Sequence, residues 1–236
     1  MKKQLLSGIV ILIILSLLTS CDKDENRQPG QVQINDDFSS GRSGWVAGFA
    51  DYPPDNAAIY ELSDSISALP KPLDSTKKGY RISGTNRSDD LFMYIKKPVE
   101  GLKPNTQYDV SFKVVLASNA IDNFGIGGSP GTSVGIGGGI TLAEPGEKKD
   151  DLGHLRMNID KIMVLTDGRD MIVLGNMDNG TDKEEYASIT REGSMSFKTD
   201  QSGKAWLIIG TDSGFEGNTT VYYQSVHVQL RPVSNE

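Results

Sequence analysis

The sequence predicts an all-β chain, an antiparallel β-sandwich of jelly-roll type. Three observations lead there. Turn-forming residues recur every 8–14 positions, and glycine is frequent at 26 of 236 residues. The runs between turns alternate apolar and polar with period two. No amphipathic helical pattern extends beyond two turns, and regularly spaced short strands of this kind favour a sandwich or barrel.

In chain order, the first strand is read at Gln31-Val32-Gln33-Ile34 and the next clear one at Tyr80-Arg81-Ile82-Ser83. Leu91 to Ile95 is apolar throughout, as in a strand covered on both faces. Tyr108, Val110, Phe112 and Val114 lie on one face of the strand that follows. Later strands are expected within Leu155–Ile159, Met171–Leu174, Ser194–Lys198, Ala205–Gly210 and Thr220–Leu230. Alternation in the last sets Val226, Val228 and Leu230 against His227 and Gln229. Pro104-Asn105, Asp167-Gly168 and Asn179-Gly180 read as turns, the second as a hairpin. Roughly 205 residues follow position 31, enough for one sizeable core. Residues 32–236 are therefore read as a single domain.

The segment before that domain has its own pattern. Lys2 and Lys3 precede a nearly continuous apolar run, Leu5 to Leu18, then Leu18-Thr19-Ser20-Cys21. The run suits a signal peptide and is short of the roughly 20 residues a spanning helix needs. These residues resemble a bacterial lipobox, with Cys21 in the lipidated position. The resemblance implies a signal peptide over 1–20 and a lipidated tether over 21–31. Asp22-Lys23-Asp24-Glu25 resembles the export signal of surface lipoproteins in Bacteroidetes, which implies the outer membrane and the cell surface; the periplasmic face is the alternative. Multiple acyl chains, at about 0.8 kcal/mol per buried methylene, give stable anchoring.

Charge narrows the choice of partner. Removing residues 1–20 takes away two lysines and no acid, so the net charge falls from −7 to −9. That disfavours nucleic acid, whose phosphates would be repelled. Cys21 is the single cysteine, which excludes a disulfide framework, a zinc–thiolate site and a thiol nucleophile in the domain.

Signs of catalysis are sparse. There are two histidines, His154 and His227, and no G-x-S-x-G or paired-histidine metal spacing. Carboxylates meeting across strands would still permit a polysaccharide hydrolase or lyase. Asp36, Asp37, Asp212 and Glu216 lie beside turn residues and form a candidate calcium set of oxygen ligands. "GRSGWVAGFADYPPDN" (41–56) places Trp45, Phe49 and Tyr52 among Arg42, Asp51 and Asp55. Trp45 is read as core and Tyr52, before two prolines, as exposed. An aromatic ring beside carboxylate and guanidinium groups suits a sugar. The candidate ligand residues are Tyr52, Asp51, Arg87, Asp89 and Asp90. "ASNAIDNFGIGGSPGTSV" (117–134) reads as a long glycine-rich loop without the features of a phosphate loop.

"GLKPNTQY" (101–108) resembles the turn that enters a strand in fibronectin-like and carbohydrate-binding β-sandwiches, where the tyrosine plugs a corner of the core. "GWVAGFADYP", "SDDLFMYIKKPVEGLKPNTQYDVSF", "GIGGSPG" and "GTDSGFEG" together resemble a family of bacterial lipoproteins of the Bacteroidetes type. The resemblance implies a carbohydrate-binding-module-like sandwich and a membrane address, and no activity. Three functions stay open on these grounds: a non-catalytic glycan-binding protein, an envelope interaction protein, and a polysaccharide hydrolase or lyase.

Overall fold

The structure is a computed structural model that describes residues 29–87, 90–123 and 125–234. Cys21, the segment before residue 29, and Asp89 lie outside the described residues. In chain order the strands are β1 (Val32–Asp37), β2 (Val46–Ala50), β3 (Ser63–Ala68), β4 (Lys78–Thr85), β5 (Leu91–Val99), β6 (Gln107–Ser118) and β7 (Val134–Thr141). They continue with β8 (Glu147–Lys149), β9 (Leu155–Met157), β10 (Met171–Asn176), β11 (Ala187–Lys198), β12 (Ala205–Ser213) and β13 (Asn218–Pro232). The only helical element among the described residues is a short 3-10 segment, Pro54–Tyr60.

Two antiparallel sheets pack face to face. The first runs β11-β6-β13-β4-β3, with β1 also pairing β13; the second runs β10-β7-β12-β5-β2. The period-two pattern decides what enters the space between them. Tyr108, Val110, Phe112, Val114 and Leu116 of β6 are buried there, as are Val226, Val228 and Leu230 of β13. Each such side chain contributes about 1.5–3 kcal/mol on full burial. Trp45 joins this core at 1% exposure. Its indole N–H donates to Asp36 at 2.9 Å, and Lys97 holds the same carboxylate at 2.5 Å.

The turn at 101–108 closes one end of the sandwich. Gly101 and Asn105 both take positive φ, 80° and 49°. The Tyr108 hydroxyl accepts the Lys103 N–H at 2.8 Å and donates to the Gly30 carbonyl at 3.3 Å. The chain before β1 is thereby fastened to this corner. The loops 119–133, 177–186 and 214–217 lie at the other end, because β12 runs from Ala205 beside Val99 to Ser213 beside Leu91.

β5 is buried on both faces, as its unbroken apolar sequence requires. Leu91, Met93 and Ile95 face the main core. Phe92 and Tyr94 face outward into a second apolar cluster with Met157, Ile162, Met171 and Ile208. That cluster exists because residues 142–170 leave β7 and fold back over the outer face of the second sheet. The β8-β9 hairpin belongs to this excursion, and Leu155 bridges to Tyr52. Asp167-Gly168 is a turn within the excursion and joins no hairpin strands: the Asp167 carboxylate accepts the Val173 N–H at 2.7 Å, and the Gly168 N–H donates to the Met171 carbonyl at 2.9 Å.

"VAGFA", within the stretch 41–56, is β2, an edge strand, and the glycine-rich loop between β6 and β7 runs into β7. β7 is VGIGGGIT, buried throughout. Glycine suits it because three alternate positions face the excursion. A β-carbon at Gly135 would collide with the Val164 carbonyl, one at Gly139 with the Asp170 carbonyl, and one at Gly137 would meet Ile162 at 2.8 Å. Glycine within a strand marks such close backbone approach.

Gly135→Ala should therefore displace the excursion and destabilise the protein by about 1–3 kcal/mol. Thermal melting should show a fall of several degrees. Gly146→Ala, where a β-carbon meets nothing within 4 Å, should leave melting unchanged.

Candidate functional site

Two of the predicted ligand residues meet a third carboxylate at the loop end of the second sheet. Asp51 ends β2 with φ 64°, a conformation that aspartate tolerates better than most residues. Asp90 precedes β5. Asp212 lies on the outward face of β12, opposite Phe92. Ligand atoms of the three lie within 4.8 Å of one another.

The excursion delivers the cations. Lys161 Nζ lies 2.5 Å from Asp212, 3.1 Å from Asp51 and 3.7 Å from Asp90. It also stands 5.1 Å from the centre of the Phe92 ring. One Arg156 terminal nitrogen reaches Asp90 at 2.9 Å and Asp51 at 3.2 Å, while its Nε lies 3.3 Å from Asp150. The Val164 N–H donates to the second Asp212 oxygen at 2.6 Å. Val164 holds φ 50°, a strained conformation for a β-branched residue.

Burial raises the Asp212 carboxyl above the usual carboxylate range, against the pull of Lys161. Burial also raises Asp90, helped by the neighbouring Asp51 charge. For Lys161, burial acts to lower the pKa, and the carboxylates of Asp212, Asp51 and Asp90 together outweigh it, so the net direction is upward. Ligand atoms within 4.8 Å of one another lie closer than the roughly 5–9.5 Å that separates paired glycosidase carboxylates. Access is also restricted: Asp51 and Asp212 are 4% and 1% exposed and already bound to cations. Of the trio, Asp90 alone meets solvent substantially. The arrangement locks the excursion to the sheet.

The remaining predicted residues are distributed otherwise. Tyr52, expected to be exposed, is half-buried, its ring 5.3 Å from that of Tyr60. Arg87 is exposed in the turn after β4, and the cations that meet Asp51 and Asp90 are Arg156 and Lys161. The proposed calcium set does not converge. Asp36 serves Trp45 and Lys97, Asp37 caps the Ser39 N–H at 2.9 Å, and Glu216 is exposed in the loop before β13. Among the described residues, Asp51, Asp90 and Asp212 are the one trio close enough to share an ion, and an ammonium already lies among them. Sequence reasoning missed Lys161 and Arg156, which sit in an unremarkable mixed stretch.

Among the described residues, no such segment covers the outer face of the first sheet. Its strands align side chains in cross-strand rows. Gln33, Gln229, Ser111 and Ser194 form one; Asn35, His227, Lys113 and Glu192 form the next. Asn35 Oδ1 and His227 Nδ1 are 3.1 Å apart, as are Lys113 and Glu192. These two rows line a shallow groove of about 360 Å3. Toward the loop end, Arg81, Tyr222, Ala117 and Ser188 form a further row. Tyr186 meets Tyr222 edge to face at 5.5 Å, and Gln224 donates to Ser188 at 2.7 Å. Both tyrosines are half-buried, so part of each ring remains accessible.

No protein-family model matches this chain, and neither does any curated protein. Solved structures do. The CBM22-1 xylan-binding domain of Paenibacillus barcinonensis Xyn10C is 10% identical with TM-score 0.38, covering 86% of this chain and 95% of that one. A putative sugar binding protein from Bacteroides thetaiotaomicron is 10% identical with TM-score 0.39, covering 79% and 87%. The active domain of bacteriophage CBA120 tailspike protein 4 is 10% identical with TM-score 0.35; the match covers 78% of this chain and only 19% of that one. All three likenesses are distant.

Lys161→Met would leave buried carboxylates without their cation, at a cost of about 3–5 kcal/mol. Asp212 and Asp90 then rise further above their unfolded pKa. A carboxyl raised in the folded state stabilises at low pH and loses that contribution as pH rises through its folded value. The variant should be weakest near neutral pH and recover toward wild type as pH is lowered, as read from melting curves across pH.

Proposed function

We propose that this protein is a non-catalytic glycan-binding protein whose binding surface is the outer face of the first sheet. The observation that carries this is the difference between the two outer faces. Residues 142–170 occupy one, while the other presents rows of amide, hydroxyl, imidazole and charged groups with a tyrosine pair at one end. Polar rows offer donors and acceptors to hydroxyls along a chain. The accessible part of a tyrosine ring suits the apolar face of a sugar. The distant likeness to xylan- and sugar-binding sandwiches is in keeping with this.

We further propose lipid attachment at Cys21, with the protein displayed at the outer membrane surface. The Tyr108–Gly30 bond fastens the start of the domain at the corner end. A tether from Cys21 would enter there, leaving the loop end pointing away from the bilayer.

Binding of the soluble domain to a glycan array tests the first proposal. Tyr222→Ala and His227→Ala should each weaken binding at least tenfold, about 1.4 kcal/mol or more. Tyr52→Ala should not change it. Array hits that survive both face substitutions at full affinity would remove this face from the site. For the second proposal, Cys21→Ser should move the protein from the membrane fraction to the soluble fraction. Retention of the variant in the membrane would refute lipid attachment there.

A further inference from the structure

At the loop end lies a pocket of about 220 Å3 between the 119–133, 177–186 and 214–220 segments. Phe215, Pro130 and Met177 supply its apolar lining, and Asn119, Asn218 and Glu184 its polar lining. No lysine or arginine is among the residues lining it.

Its walls are tied in place. Ser213 Oγ accepts the Phe215 N–H at 3.3 Å and donates to the Phe215 carbonyl at 3.0 Å. The Phe215 ring lies over Gly217, where a β-carbon would collide with it. The Asn179 N–H donates to the Ala120 carbonyl at 2.8 Å, and its side chain donates to the Lys183 and Glu185 carbonyls at 2.9 and 3.0 Å. Ser118 Oγ donates to the Met177 carbonyl at 2.5 Å. A pocket pre-formed in this way binds with a smaller ordering cost.

The pocket continues from the polar face. Thr220 lines it and lies two residues before Tyr222 on the same side of β13. Glu184 lines it and lies two residues before Tyr186.

We propose that this pocket receives the terminal ring of a neutral glycan whose following units lie across Tyr222 and Tyr186. The proposal rests on the reading of the first sheet as a glycan-binding face. An aromatic side chain lining one pocket with amide and carboxylate groups fits a ring with one apolar face and hydroxyls at its edge. Glu184, without a cation beside it in the lining, selects against a uronate, sulfated or phosphorylated terminus. The protein accordingly recognises chain ends.

The test is a side-chain amide NMR titration of the 15N-labelled protein. The probes are methyl glycosides of glucose, mannose, galactose, xylose and N-acetylglucosamine at millimolar concentration, with methyl glucuronide as the charged comparison. At least one neutral glycoside should shift the Asn119 and Asn218 amide signals, and the glucuronide should not. Phe215→Leu, which keeps the apolar volume and loses the flat face, should weaken that binding at least tenfold with unchanged melting. Shifts at Gln33, Asn35 and Gln229 with none at Asn119 or Asn218 would overturn the pocket and leave the face standing. Shifts confined to Asn119 and Asn218, with Tyr222→Ala binding array glycans normally, would keep the pocket and overturn the face. Equal response to glucuronide would overturn the neutral-ring assignment. No shift anywhere would overturn the pocket.

Discussion

The close seating of residues 158–170 on the alternate glycines of β7 is the constraint on which the rest of this architecture depends. With no β-carbon at Gly135, Gly137 and Gly139, another backbone reaches the sheet itself. The excursion then covers Phe92 and Tyr94, which could not otherwise face outward from β5 without exposing large apolar surface. It also brings Lys161 and Val164 to the carboxylates at the sheet's end. One outer face is closed by this; no comparable segment covers the other among the described residues.

The price of that closure is visible in the ion cluster. Two carboxylates lie almost wholly out of water, and Val164 is held in a strained backbone conformation. Desolvation of this kind is offset only where partners are close and several. Here Asp212 has an ammonium and a backbone N–H, and Asp51 has a lysine and an arginine. The cluster acts as a latch. Three aspartates alone would read as a cation site; with Lys161 among them the positive charge comes from the chain.

The open face uses simpler physics. Antiparallel register brings side chains from neighbouring strands into rows, and one register fixes every contact in a row. Asn35, His227, Lys113 and Glu192 come from four strands that span the sequence from residue 35 to residue 227. Histidine here is one member of a hydrogen-bonding row, with Asn35 on one ring nitrogen and Ser225 on the other.

By itself the sequence determined the sandwich, the inward and outward faces of β6 and β13, the double burial of β5, the core position of Trp45 and the Tyr108 corner. The strand faces and the double burial follow from local periodicity, which a short window of residues contains, and the Tyr108 corner was expected from the resemblance of its turn to those of known β-sandwiches. Asp51 and Asp90 were among the candidate ligand residues because acidic residues beside turns and aromatic residues stand out in a short window. Their role did not, because Lys161 and Arg156 arrive from about a hundred and about seventy residues away, and only the path of the excursion decides that. Tyr52 is half-buried where exposure was expected, because Tyr60 of the 3-10 segment packs against its ring. The alternate glycines of β7 were legible as a run and illegible as a seat, since close approach is a property of two segments. The tertiary structure alone decided which outer face residues 142–170 cover, because that depends on where the excursion from β7 meets the sheet.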